Sequence, residues 1–264
     1  MARRELILEE MGLGPVWRLR RTGDAPQPES ADGDPARAND QGDRTGRDRG
    51  GGDRAVDAHV ARDSADRAAQ VARMEWPELK QAVASCDACA LCKTRKNTVF
   101  GVGDERADWL LVGEAPGAEE DARGEPFVGQ AGRLLDNMLA AIGLERGAGV
   151  YIANVLKCRP PGNRNPEPDE VARCSPHLVR QIELIRPMLI VAMGRFAAQT
   201  LLASDASIAS MRGRMFEYQG VPLVVTYHPA YLLRNMPDKA KAWEDLLFAR
   251  RTLQSLTSGA APQH

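Results

Sequence analysis

Five cysteines are the first residues whose spacing could do chemistry. Cys86, Cys89 and Cys92 form a C-x2-C-x2-C run, and Cys158 and Cys174 follow 16 positions apart. An odd number, with three crowded into one short segment, favours metal or cluster ligation over disulfides in a reducing compartment. Four cysteines drawn from two distant segments suit structural zinc or an iron–sulfur cluster, and spacing alone does not choose between them. Burial of free cysteine as a small hydrophobe accounts for one of the five but not for the set. Cys158 stands between Lys157 and Arg159, a polar setting for a core side chain.

A second stretch, GEAPGAEEDARGEPFVGQAG at Gly113–Gly132, follows the apolar run Trp109–Val112. A phosphate-binding loop in that place would end in Gly-Lys-Ser/Thr, so that backbone N–H groups and a lysine meet anionic oxygens. Here Glu114, Glu119, Glu120, Asp121 and Glu125 stand instead, with one aromatic ring, Phe127. A nucleotide-dependent phosphotransferase is therefore disfavoured and no nucleotide cofactor is expected. Of the four histidines, His264 is terminal, His59 lies in a polar stretch and His177 falls in a helical period. His228 directly follows an apolar run and is the best placed for chemistry.

The elements that must position these residues are legible from periodicity. Strand-like runs occur at Trp109–Val112, Val150–Val155, Met188–Met193 and Leu223–Tyr227, and helical periods at Ala131–Ile142 and Asp169–Ile185. Pro168 suits a helix start, Arg186-Pro187 its end, and Pro176 is expected to kink or split the second helix. A turn at Gln219-Gly220 brings in the last strand, and Asp238–Leu256 reads as a closing amphipathic helix. Alternating strands and helices imply a parallel sheet covered on both faces, with ligands bound beyond the carboxyl ends of its strands.

The totals exclude little: 264 residues, 35 Lys+Arg against 36 Asp+Glu, net charge −1. That balance argues against a protein that coats DNA by charge alone but not against a local basic groove. No run approaches the roughly 18 apolar residues of a membrane span, and with no secretory apolar segment the expected location is cytoplasmic. Residues 21–73 contain no Leu, Ile, Met, Phe, Tyr, Trp or Cys and are expected to form a disordered linker. Ahead of it, residues 1–20 carry a short apolar peptide, at 3–20 a docking segment for a partner protein or one that folds back on its own domain. The compact domain is expected at 76–258, long enough for a sizeable core.

GEAPGAEED…GEPFVGQAG, ANVLKCRPPGNRNPEPDE and YHPAYLLR, in that order and with the cysteines, resemble family 4 uracil-DNA glycosylases over about Cys86–Leu256. The resemblance implies an α/β fold, a three-layer α/β/α sandwich with a central, mostly parallel four-stranded sheet. It implies a monomeric hydrolase that flips uracil out of DNA and breaks its N-glycosidic bond, leaving an abasic site for base excision repair. It also implies a structural 4Fe-4S cluster on Cys86, Cys89, Cys158 and Cys174, with Cys92 left over unless it exchanges roles with Cys89.

The implied uracil pocket consists of Gly113, Glu114, Ala115, Phe127, Asn154 and His228. Phe127 supplies a stacking surface; the Asn154 amide accepts from uracil N3–H and donates to O4, a pattern that cytosine does not present. His228 faces O2, where negative charge develops as the base leaves, and a neutral imidazole N–H suffices there. A carboxylate near the cationic sugar can stabilise it or orient water, with Glu120 and Glu114 ranked first. The resemblance places Ala115 about where family 1 enzymes carry a water-activating aspartate, so the general base stays open. Arg159, Arg164 and Arg234 are candidate phosphate contacts, and Leu232 or Leu233 a wedge that fills the vacated stack, against core packing as the ordinary alternative. A competing reading is a non-catalytic iron–sulfur DNA-binding accessory of a polymerase or repair complex.

Overall fold

The structure, a computed structural model, describes residues 66–259, so the 1–20 peptide and the linker up to residue 65 lie outside it. The described part begins with helical residues 66–71, and Val71 is buried. These helical residues fall within the stretch expected to be linker, about ten residues before the expected domain start at 76. One valine and Arg67, which donates to a carbonyl of a later helix, are enough to anchor a turn that composition alone assigns to the linker.

In chain order the elements are α1 (Trp76–Ala84), β1 (Val102–Gly103), β2 (Trp109–Gly113), α2 (Ala118–Arg123), α3 (Gln130–Ala141), β3 (Val150–Asn154), α4 (Pro168–Ile185), β4 (Leu189–Met193), α5 (Arg195–Leu202), α6 (Ile208–Met211), β5 (Met215–Tyr218), β6 (Val221–Thr226), α7 (Pro229–Arg234) and α8 (Asp238–Thr257). The sheet order is β1-β3-β2-β4-β6-β5. The four inner strands are parallel, as expected; the two edge strands pair antiparallel and bring the sheet to six rather than four. Two-residue β1 has no periodicity to read. β5 joins β6 through Gln219 (φ 51°) and Gly220 (φ 80°), the two positive φ angles that a tight hairpin turn requires.

Every residue of β2, β3 and β4 is buried, which is why these strands read as continuous apolar runs. Alternate side chains serve opposite faces. Leu110, Val112, Ala153 and Ile190 pack under α4 and α5 with Leu178, Ile182 and Ala197. Leu111, Ile152, Val191 and Val224 pack under α3 and α8 with Leu135, Leu139 and Leu246. α4 begins with Pro168 and a reciprocal cap between Glu167 and Glu170, and it continues through Pro176 without a break. Leu178, Ile182 and Ile185 keep one face on the sheet across the proline, and that packing holds the helix together despite the missing backbone donor. No helix among the described residues is long and apolar enough to cross a membrane.

Candidate active site

β2 and β3 end in register, Gly113 opposite Asn154. Their chains stay paired for two more residues, Val155 N–H to the Gly113 carbonyl and Leu156 N–H to the Glu114 carbonyl, at 3.0 and 3.1 Å. Asn154 is thereby carried to the carboxyl edge of the sheet on a rigid support. Its side chain is 2 % exposed, and its Oδ1 has no hydrogen-bond partner. A buried unpaired acceptor costs roughly 1–3 kcal/mol. An amide held at that cost is poised for a donor the protein itself does not supply.

Lys157 sets the other side of Asn154. It is completely buried, and its Nζ donates to the Asn154 carbonyl at 2.9 Å and to Gln181 Oε1 at 2.6 Å. Burial pushes its pKa down to about 8. Nothing in the sequence marks this lysine as interior, since lysines flanking a loop ordinarily reach solvent.

Phe127 is buried with φ 54°, in the left-handed region that a phenylalanine seldom occupies. Its ring lies 5.4 Å from that of His228, nearly parallel. The Phe127 ring, the Asn154 amide and Gly113 converge on one spot. A methyl group on Gly113 would stand 2.4 Å from Asn154 Oδ1 and 2.7 Å from Phe127 Cζ. Gly113→Ala should therefore push both walls of the pocket, at a position with no positive φ to add strain. The expected result is a loss of kcat/KM of about 10²-fold with a melting temperature lowered by overpacking of about 1–3 kcal/mol, checked by steady-state kinetics and a thermal melt.

His228 caps the N-terminus of α7, its Nδ1 accepting from Ala230 N–H at 3.1 Å. With Nδ1 occupied as acceptor, the neutral ring carries its proton on Nε2. Burial lowers its pKa to about 4 despite the nearby Glu120 carboxylate, so the ring is neutral at physiological pH.

The carboxylates divide. Glu120 Oε2 accepts from Gly117 N–H at 3.1 Å, and Oε1 from Val128 and Gly129 N–H at 3.0 and 3.4 Å. Its oxygens thereby brace the loop through three backbone N–H groups. Asp121 is likewise committed, to Lys96 and Asn97 N–H. Glu119 reaches Arg123 at 3.8 Å on the surface, and Glu125 is exposed. Half-buried Glu114 makes no side-chain hydrogen bond among the described residues, and burial raises its pKa although Arg195 opposes the shift. Ala115 packs against the buried cluster of Leu91, Leu156 and Cys158.

Leu232 is 1 % exposed and belongs to the core, while its neighbour Leu233 is 41 % exposed and is the one of the pair available as a wedge. Arg234 is exposed; Arg159 bonds Asn163 at 2.7 Å and stays partly open. Arg164 is spent on a two-pronged pair with the buried Glu170 carboxylate, at 2.9 and 2.6 Å. That pair ties the 160s loop to the start of α4 and leaves the Arg164 side chain 38 % exposed.

Cys86, Cys89, Cys158 and Cys174 line one small hollow. Cys92 does not line it, and its thiol meets only the Asp87 carbonyl, at 3.9 Å. N–H groups reach three of the four sulfurs: Arg67 to Cys86 and Arg95 to Cys158 at 3.2 Å, and the Lys157 backbone to Cys174 at 3.3 Å. The buried His177 Nδ1, which has no partner, borders the same hollow. Among the described residues no three His, Cys, Asp or Glu side chains are gathered tightly enough for a single ion. Burial raises the pKa of the Cys89, Cys158 and Cys174 thiols, and the N–H donors on Cys158 and Cys174 oppose that shift; a four-cysteine set of this kind suits structural zinc or an iron–sulfur cluster.

The sequence pattern of the Uracil DNA glycosylase superfamily matches residues 100–247. The chain is 49 % identical over 164 residues to the Type-4 uracil-DNA glycosylase of Archaeoglobus fulgidus, covering 59 % of this chain and 82 % of that one. It is 44 % identical over 165 residues to the Type-4 uracil-DNA glycosylase of Thermotoga maritima, covering 62 % and 85 %, and 41 % identical over 183 residues to that of Pyrobaculum aerophilum, covering 66 % and 92 %. With the strand-end loops, the buried amide and the histidine in place, the chain belongs to the Uracil DNA glycosylase superfamily.

Proposed function

We propose that the protein is a uracil-DNA glycosylase that hydrolyses the N-glycosidic bond of a flipped uracil and leaves an abasic site. One observation carries this reading: Asn154 Oδ1, buried at the end of a rigid strand, is an acceptor without a donor in the free enzyme, and uracil N3–H supplies one. Cytosine has no hydrogen at N3, so the same amide excludes it.

In this reading Phe127 covers one face of the base, and His228 Nε2–H meets O2 as the base departs with the bonding electrons. Glu114 is the carboxylate that faces the cationic sugar or orients water, since its oxygens are not engaged by backbone donors. Glu120 holds the loop. Leu233 fills the vacated stack, and Arg159 and Arg234 meet phosphates. Cys86, Cys89, Cys158 and Cys174 would hold a structural four-iron, four-sulfur cluster, which supplies a covalent tie between the segment after α1 and the loop after β3.

The test is incubation of the full chain with a labelled oligonucleotide carrying one uracil, followed by alkali and a gel. Scission at uracil and not at cytosine or thymine is expected. DNA binding without an abasic product, from protein whose visible absorbance shows an intact cluster, would leave only the accessory-protein reading.

A further inference from the structure

We infer that Arg146, in the turn between α3 and β3, is a positioning residue that holds Phe127 in its working conformation. The inference rests on the reading of Phe127 as a wall of the uracil pocket.

Phe127 departs from ordinary backbone geometry at φ 54°, so something must oppose its return to a relaxed conformation. Arg146 donates from Nη1 to the Pro126 carbonyl at 3.0 Å and from Nη2 to the Phe127 carbonyl at 2.9 Å. Its Nε donates to Asp136 Oδ1 of α3, also at 2.9 Å, so the guanidinium is itself fixed. On the opposite side of the same loop the Glu120 carboxylate takes the Val128 and Gly129 N–H groups. The loop is thus gripped by a cation on two successive carbonyls and by an anion on the next two amides. Below it, Gly132 leaves room for the Phe127 carbonyl, where a Cβ would come within 1.8 Å.

The planar fork of arginine suits this task, since it reaches two carbonyls and a carboxylate at once, and a lysine ammonium cannot reproduce the fork. Its side chain is only 20 % exposed, which shields these bonds from water. The turn that presents it closes with a bridge between Glu145 and Ala148.

The experiment is a double-mutant cycle on the full chain, with kcat/KM measured on the uracil oligonucleotide for wild type, Arg146→Ala, Phe127→Ala and the double variant. Arg146→Ala should lose roughly tenfold or more in the wild-type background, but less than about twofold once Phe127 is gone. Equal losses in both backgrounds would overturn the inference, because Arg146 would then act without Phe127. If Arg146→Ala does not fold, Arg146→Lys carries the same cycle. A crystal structure of the variant gives a readout independent of uracil release. The Phe127 ring is expected to leave His228 and its φ to leave the left-handed region. An unmoved ring overturns the inference even if the protein proves to have no glycosylase activity.

Discussion

Replacing His228 by alanine is expected to lower kcat roughly 10²–10³-fold, the usual effect of removing one donor aimed at developing negative charge. KM should change little, because the donor matters most once the base carries charge. Single-turnover release of uracil from excess enzyme separates this from slow product release. An unchanged single-turnover rate would remove His228 from the chemistry.

The same residue makes a pH prediction. Its folded pKa of about 4 lies below the ordinary 6.5, so the native state binds fewer protons than the unfolded chain as pH falls through this window. The associated stability is present above pH 6.5 and is lost as the pH drops towards 4. Protonation would also put a hydrogen on Nδ1 against the Ala230 N–H. Uracil release should therefore show no histidine inflection between about pH 6 and 8 and should fail on the acid side of about 4.

The second large effect is at Asn154. Asn154→Leu keeps the shape and removes the amide, leaving uracil N3–H and O4 unpaired in a dry site. At about 3 kcal/mol the loss in kcat/KM is about 10²-fold, and preference for uracil over cytosine should fall with it. Stability should move the other way or stay level, since the substitution deletes a buried acceptor with no partner. A thermal melt alongside the kinetics checks both halves. A variant that unfolds at lower temperature in proportion to its lost activity would make Asn154 structural rather than a reader of the base.

How far these features can be read from residues alone depends on whether the cause is local. The runs at Trp109–Val112 and Met188–Met193 announce buried parallel strands because nothing polar interrupts them. Pro176 looks like a break because the packing that overrides it, Leu178 and Ile182 on the sheet, is tertiary. Within the site, the His228 position follows from the end of an apolar run, and that of Asn154 from the family resemblance. Their electrostatics do not: the empty acceptor and the fixed tautomer need coordinates. Lys157 and Arg146 were invisible as parts of the site, since each acts through a backbone carbonyl, and carbonyls leave no mark in a sequence. The Leu232-Leu233 pair shows the limit most simply, as two identical residues in succession take opposite environments because a helix turns about 100° per residue.

The order of strands in the sheet also carries a consequence in time. Gly113, Asn154 and His228 meet only after β3 has paired with β2, β2 with β4, and β4 with β6, all non-local contacts in the chain. Such pairings close late in folding, because each must first overcome the entropy of a long loop. During synthesis Phe127 and Asn154, proposed to hold the base, emerge well before His228, proposed to help it leave, which arrives with the last strand. The ability to cut is thus withheld until the sheet is whole, and a refolding chain should regain helix content before it regains uracil release.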